Sequence, residues 1–168
     1  FILNNMQSKQ ELEDWYSEPD RWGYFNNPED TKRLEKILFM LGWGKSHYKR
    51  AIDIGCGEGF VTTFLPADEI HGLDLSDNAL KRIPPNVTPV SEPQGKYDLV
   101  ISTGTLYQQY DHEAIYKMIM SCASEYILIA GISDWLINKD FGKQIQMSIF
   151  PYREFTQKMT IYHVETCA

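Results

Sequence analysis

The stretch Ala51-Ile52-Asp53-Ile54-Gly55-Cys56-Gly57-Glu58-Gly59 decides the fold. Residues 51–54 read as a buried strand. The glycines that follow let the chain turn sharply, because glycine adopts left-handed backbone angles and admits close backbone approach to a ligand. Their spacing is G-x-G-x-G rather than the G-x-G-x-x-G of the usual pyrophosphate loop. A pyrophosphate wants converging backbone donors and a helix N-terminus, and Glu58 would oppose its charge.

Downstream, residues 69–73 read as a second strand ending at Asp74, which lies 19 positions after Gly55. An acid at about that separation is placed to accept both ribose hydroxyl hydrogens of a bound nucleoside. Ser76 caps a helix over 77–83, which Pro84 and Pro85 stop. A weak strand at 87–90 contains Pro89 and is therefore short, frayed or at an edge. Residues 97–102 form a stronger strand. Asp111 caps a helix whose Ile115, Met118, Ile119 and Cys122 make one apolar stripe, and 126–130 supplies another strand. Repeated strand and helix units predict a mostly parallel sheet with helices on both faces. At the end of the chain, 145–150 and 156–165 read as an antiparallel hairpin across 151–154. The rival reading is a helix over 151–159 feeding one final strand, and the hairpin is preferred.

Upstream, Leu34, Ile37, Leu38 and Leu41 lie on one face of a helix over 28–41. Asn27 stands at its N-cap, Pro28 at its first position, Glu29 and Asp30 in its first turn, and Gly42 and Gly44 end it. The leader before it is aromatic, with Trp15, Tyr16, Trp22, Tyr24 and Phe25, rings that need a surface to cover. The expectation is an α/β, Rossmann-like chain: a single domain over 1–168, with a helical cap over 1–45.

At 168 residues, the chain is too short for a nucleotide domain with a separate substrate domain, which disfavours a full dehydrogenase. With 16 Lys plus Arg against 23 Asp plus Glu, the net charge is -7, so an overall basic field for nucleic acid or anionic lipid is absent. The three cysteines, Cys56, Cys122 and Cys167, are too few and too dispersed for a disulfide scaffold or a metal site, and point to a reduced chain. No run of eighteen apolar residues and no secretory pattern is present. The expectation is cytoplasmic, with an upstream segment left open because the sequence starts at Phe1.

The residues resemble the class I S-adenosylmethionine-dependent methyltransferases. The stretch 53–59 matches their first motif, Gly72-Leu73-Asp74-Leu75-Ser76 their ribose-binding motif, and residues 97–102 their fourth-strand motif. The resemblance spans roughly 50–130 and implies S-adenosyl-L-methionine as cofactor. It implies that Gly55, Cys56 and Gly57 contact the amino-acid portion, with Asp53 near the ammonium. It also implies that Asp74 and Leu75 meet the ribose and that Ser102 and Thr103 face the methyl donor. The leader Asp20-Arg21-Trp22-Gly23-Tyr24 and Arg33 look like the nodulation-factor type of small-molecule methyltransferase, with Arg21 where proline is usual. By that resemblance Trp22, Tyr24 and Arg33 close the cofactor pocket. The acid that many members place beyond the third strand to contact adenine is lacking; Glu92, Ser91 or backbone groups stand in its place.

Methyl transfer is a direct displacement that requires alignment but no protein nucleophile or metal. A hydroxyl acceptor benefits from proton removal, whereas a neutral amine brings its own lone pair. Tyr107, Tyr110, Asp111 and His112 follow the fourth strand, where a doubly wound sheet opens its crevice. Tyr107 is a candidate for lining the acceptor site, Asp111 for capping or proton removal, and His112 for a base. Trp135 either stacks on an acceptor or packs under a loop, while His47, His71 and His163 receive no catalytic role. The expected partner is a small-molecule methyl acceptor, including sugar-containing ones, with no evident nucleic-acid partner. The alternatives are a noncatalytic cofactor-binding or protein-interaction module, a protein or nucleic-acid methyltransferase, and an oxidoreductase.

Overall fold

Two helices precede the sheet, each started by a polar cap. Ser8 accepts from the Glu11 N–H to begin α1 (Lys9–Trp15), and Asn27 accepts from the Glu29 N–H to begin α2 (Pro28–Leu41). The computed structural model describes residues 8–165, so the first seven residues of the expected cap and Cys167 lie outside them.

The strands are β1 (Tyr48–Ile54), β2 (Ala67–Leu73), β3 (Thr88–Val90), β4 (Tyr97–Thr103), β5 (Ala123–Ile132), β6 (Lys143–Tyr152) and β7 (Phe155–His163). They form one sheet in the order β3-β2-β1-β4-β5-β7-β6. The first five are parallel to one another, and β7 runs antiparallel to both β5 and β6. Successive strand residues face opposite sides of a sheet. Thus Ala51, Leu99, Ile101, Leu128 and Met159 meet Leu34, Ile37, Met40 and Leu41 of α2. Ile52, Val100, Ile127 and Ile129 instead meet Ile119 and Cys122 of α4 (His112–Cys122). Full burial of each Leu, Ile, Val or Met among them contributes roughly 1.5–3 kcal/mol. The hydrophobic runs of the central strands are therefore buried on both faces.

Three local features differ from the sequence expectation or decide between its alternatives. The stretch from the glycine turn through Leu65, which the sequence pattern reads as a short helix, is a single 3-10 turn, Thr62–Phe64. The helix expected over 77–83 is shorter, α3 (Asp77–Leu80), because the chain then tightens into i→i+3 turns, the Arg82 N–H donating to the Ala79 carbonyl and the Ile83 N–H to the Leu80 carbonyl. At the C-terminus the hairpin forms, and the helix over 151–159 does not. Pro151 lies inside β6, where proline is tolerated because β6 is the outermost strand, and the turn is Arg153-Glu154. Thr88–Val90, with Pro89 in it, is the opposite edge. Among the described residues no helix is long and apolar enough to cross a membrane.

Candidate active site

A cavity of about 430 Å³ opens across the C-terminal ends of β1, β2, β4 and β5. Because β7 is antiparallel, its first residues lie at that same edge, with Gln157 beside Ile132. At one end of the cavity is the glycine turn. Gly55 has φ +84°, and a side chain there would strike Thr105. The N–H groups of Gly55 and Cys56 both donate to the Leu73 carbonyl, at 2.7 and 3.0 Å. The Gly57 N–H donates to Asp74 Oδ2 at 2.8 Å, while Asp74 Oδ1 accepts from the Ser76 N–H at 2.9 Å. The turn and the acid are therefore bonded to each other across the ends of β1 and β2. The donors that a pyrophosphate would require are already engaged, and Glu58 adds negative charge, accepting from the Asp20 N–H at 3.0 Å.

Asp53 lies beneath this turn and is 2% exposed. Its Oδ2 accepts from the Thr62 hydroxyl at 2.7 Å, and its Oδ1 has no hydrogen-bond partner among the described residues. Burial pushes the Asp53 carboxyl up to about 7, with the nearby Asp74 adding to the shift and Thr62 and Arg33 opposing it. Desolvation likewise raises Asp74 above the ordinary carboxylate range.

Arg33 reaches the cavity from α2 and is held by a carboxylate that sequence reasoning passed over. Asp30 is fully buried; its Oδ1 accepts from Arg33 Nε at 3.2 Å and from the Tyr152 hydroxyl, and its Oδ2 from Arg153 Nη2 at 2.7 Å. The Arg33 guanidinium also lies 4.9 Å from the centre of the Tyr24 ring. Above the glycine turn, Trp22 Nε1 donates to the Tyr16 hydroxyl at 2.8 Å. A side chain at Gly57 would come within 2.9 Å of that hydroxyl, so glycine here permits the aromatic roof to approach.

At the far end, Tyr107 and Tyr110 form a stacked pair with centroids 6.2 Å apart. The Tyr107 hydroxyl accepts from the Ile132 N–H at 2.7 Å, and burial pushes both phenols well above their ordinary range. The β6–β7 hairpin completes the wall with Tyr152, Arg153, Phe155 and Gln157.

The cavity brings together Trp22, Arg33, Asp53, Gly55, Cys56, Gly57, Asp74, Leu75, Thr103, Tyr107 and Asp111. Three candidates lie elsewhere. Ser102 is buried one position before Thr103, donating to the Ile54 carbonyl at 2.8 Å and so tying β4 to β1. Glu92 is exposed on the loop beyond β3 and is not among the residues lining the cavity. His112 is also outside the lining, the first residue of α4, with Nδ1 3.8 Å from Glu113. Asp111 caps α4 by accepting from the Ala114 N–H at 3.2 Å. Trp135 packs against Tyr107 and Phe155, at centroid distances of 5.6 and 5.0 Å. Sequence reasoning missed Tyr16 as a wall of the site, together with Arg153, Phe155 and Gln157. The hairpin pattern placed the last three near a turn, but no motif marked that turn as facing the glycine loop.

The residues fit S-adenosylmethionine. Buried and half-buried carboxylates face a cavity large enough for an adenosyl group, one carboxylate oxygen lacks a donor, and a buried guanidinium stands nearby to balance a ligand carboxylate.

The chain has the Rossmann-like fold of S-adenosylmethionine-dependent methyltransferases. Among solved structures it is similar to the N-methyltransferase NodS from Bradyrhizobium japonicum WM9 in complex with S-adenosyl-L-homocysteine. The TM-score is 0.76 at 13% identity, over 94% of this chain and 98% of that one. It is also similar to magnesium protoporphyrin IX methyltransferase (ChlM) from Synechocystis PCC 6803 with bound SAM, with a TM-score of 0.74 at 14% identity over 95% and 98% of the two chains. The plantazolicin methyltransferase BpumL, in complex with a monoazolic desmethylPZN analog and SAH, gives a TM-score of 0.53 at 20% identity over 74% and 58%. No family model matches the chain, and no curated protein matches it.

Proposed function

We propose that this protein is an S-adenosylmethionine-dependent methyltransferase acting on nitrogen or oxygen of a small molecule, sugar-containing acceptors among them. The observation that carries this reading is the union of the glycine turn, Asp74 and the unpartnered Asp53 Oδ1 in one cavity. The cofactor supplies an electrophilic methyl group on a sulfonium. In this reading Asp53 receives the ammonium of its amino-acid portion, Arg33 its carboxylate, and Asp74 the ribose hydroxyls. Gly55, Cys56 and Gly57 shape the passage between them, and Leu75 and Thr103 border it. Residues 8–44 form the described part of the cap, whose Tyr16, Trp22 and Tyr24 exclude water. Tyr107 and Tyr110 line the route to the acceptor. Asp111 acts first as a helix cap, and His112 is not assigned as the base because of its place outside the cavity. The buried thiols Cys56 and Cys122 are free, which fits a reducing, cytoplasmic setting.

The test is calorimetric titration with S-adenosylmethionine and S-adenosylhomocysteine. Both are expected to bind, and Asp74→Ala to weaken binding by roughly 10–100-fold, the loss of hydrogen bonds to a charged acceptor at about 1.5–3 kcal/mol. A folded chain that binds neither ligand ends the proposal. Binding without turnover of any acceptor class would replace it with a noncatalytic binding module.

A further inference from the structure

We propose that the protein self-associates through the open edge of β6, two copies pairing antiparallel about Ser148 so that their seven-stranded sheets run on into one. This surface lies outside the cavity, and the inference is independent of the methyltransferase reading.

β6 ends the sheet on one side, and its register shows which of its main-chain groups face away from β7. Antiparallel pairs alternate between those that exchange both N–H···O bonds and those that exchange none. Pro151 has no N–H, so its pair with Thr156 is of the second kind. The bonded pairs are then Tyr152 with Phe155, Phe150 with Gln157 and Ser148 with Met159, which turns the N–H and C=O groups of Met147 and Ile149 toward the open side. In agreement, the Met147 N–H donates to the Gln146 side-chain Oε1, at 3.0 Å, rather than to β7. An edge of this kind accepts another strand unless charge, proline or a bulge blocks it. Here the blocks stand only at the ends, Pro151 at one and the register shift between Gln144 and Gln146 at the other. Residues 144–152 carry no charge.

Apolar side chains gather around the same edge. Among the exposed large hydrophobic residues described, Phe25 and Leu75 line the cavity. Phe39, Trp43, Met147 and Ile149, which are 72%, 50%, 39% and 55% exposed, do not. Phe39 and Trp43, at the end of α2, line a shallow hollow with Gln146, Met147 and Ser148. Phe150 and Tyr152 pack on the α2 side of the sheet, so by alternation Ile149 stands on the opposite face with Met147. A strand added here would be flanked by apolar surface on both faces.

One register suits a second copy of this chain. With Met147 opposite Ile149 of the second copy, the two residues exchange both backbone bonds, and the two-fold axis through Ser148 repeats the exchange. A slide of two residues either way would set Pro151 opposite Met147, or the bulged Ile145 opposite Ile149. Across the axis Met147 packs on Ile149 of the second copy, while the Phe39 and Trp43 side chains of both copies come to the same face. Such flanks extend the strand contact toward the roughly 800 Å² per partner that a stable dimer covers. At each end Lys143 approaches the Arg153-Glu154 turn of the other copy. Arg153 is already paired with Asp30 at 2.7 Å, so Glu154 is the charge that answers the lysine.

The test is sedimentation velocity of the full chain over a concentration series, with an intermolecular disulfide as the geometric readout. The wild-type chain is expected to dimerise at micromolar concentration. Ile149→Lys sets a charge in the interface and should weaken dimerisation by at least about tenfold. Ser148→Cys places two thiols across the axis in a non-bonded pair, with Cα atoms about 4.5 Å apart, a distance that a disulfide spans. Mild oxidation should therefore link this variant into covalent dimers well above the wild-type background, whereas Thr156→Cys, on the other strand of the hairpin, should stay at that background. Circular dichroism melts confirm that each variant is folded, and Phe39→Ser takes the place of Ile149→Lys if the latter is not. A wild-type chain that stays monomeric up to about 100 μM, roughly a hundredfold above a micromolar dissociation constant, overturns the proposal, whether or not the edge takes a strand of another protein. A dimer that the folded interface variant leaves intact, or a Ser148→Cys chain that links no more than Thr156→Cys, overturns it equally.

Discussion

Asp53 is the residue on which the chemistry of the cofactor end turns. Its carboxyl is pushed up to about 7 because it is buried and only one of its oxygens has a donor. A folded-state pKa above the unfolded value means that the folded chain holds a proton at Asp53 that the unfolded chain has released. Without ligand, this group therefore contributes stability at low pH and loses it as pH rises from about 4 to about 7. Ligand reverses the preference, since an ammonium beside Oδ1 favours the ionised form. Titrating S-adenosylhomocysteine in buffers of different ionisation enthalpy should show release approaching one proton at pH 6, little release at pH 8, and weaker affinity at the lower pH. Asp53→Asn should abolish the proton release. An identical proton count at both pH values would exclude Asp53 as the ammonium's partner.

The contact between α2 and the β6–β7 hairpin shows what sequence could and could not reveal. The strand at 51–54, the glycine turn and Asp74 were legible because each depends on local backbone chemistry: a buried run, positive φ at Gly55, and an acid just past a strand end. The length of β3 was legible from Pro89, and the cap of α4 from Asp111. Asp30 was read only as a first-turn acid, yet it joins Arg33, Tyr152 and Arg153, residues up to 123 positions away. Nothing local encodes that meeting, which follows from the antiparallel return of β7 to the ligand edge. For the same reason Gln157 carried no sequence signal, and Glu92, named by resemblance, lies exposed outside the cavity lining, because side-chain direction on a loop is set by tertiary packing. The Asp30 cluster also ties the cap to the sheet. Asp30→Ala leaves the buried Arg33 cation without its partner and should cost about 3–5 kcal/mol. For a domain of this size that lowers Tm by at least about 6 °C. Scanning calorimetry checks this, and a Tm within 2 °C of wild type, roughly the effect of 1 kcal/mol or less, would mean that the cluster does not hold the hairpin.

Taken together, the elements form a firm sheet with a thin roof. The two large cores lie on either side of the strands, whereas Leu12 and Tyr16 belong to a third, small cluster with Ala79, Trp15 and Trp22. α1 has seven residues, too few for stable helix on its own. It is tethered by the Asn78 amide to the Glu13 carbonyl at 3.1 Å, while Arg82 Nη1 donates to the Tyr16 carbonyl at 2.6 Å. A unit with few buried apolar contacts opens more readily than the core. If the roof closes over the cofactor, ligand should stabilise it more than it stabilises the sheet. Hydrogen exchange should therefore be fast in Lys9–Trp15 without ligand and slowed at least tenfold by saturating S-adenosylhomocysteine. In α2 and the central strands local exchange should change little. At ligand 100-fold above Kd the linked stabilisation of the chain is about 2.7 kcal/mol, a Tm rise of roughly 5–11 °C. A rise in Tm with unaltered exchange in α1 would place the bound ligand beneath the strands' ends alone and deny the roof any part in holding it.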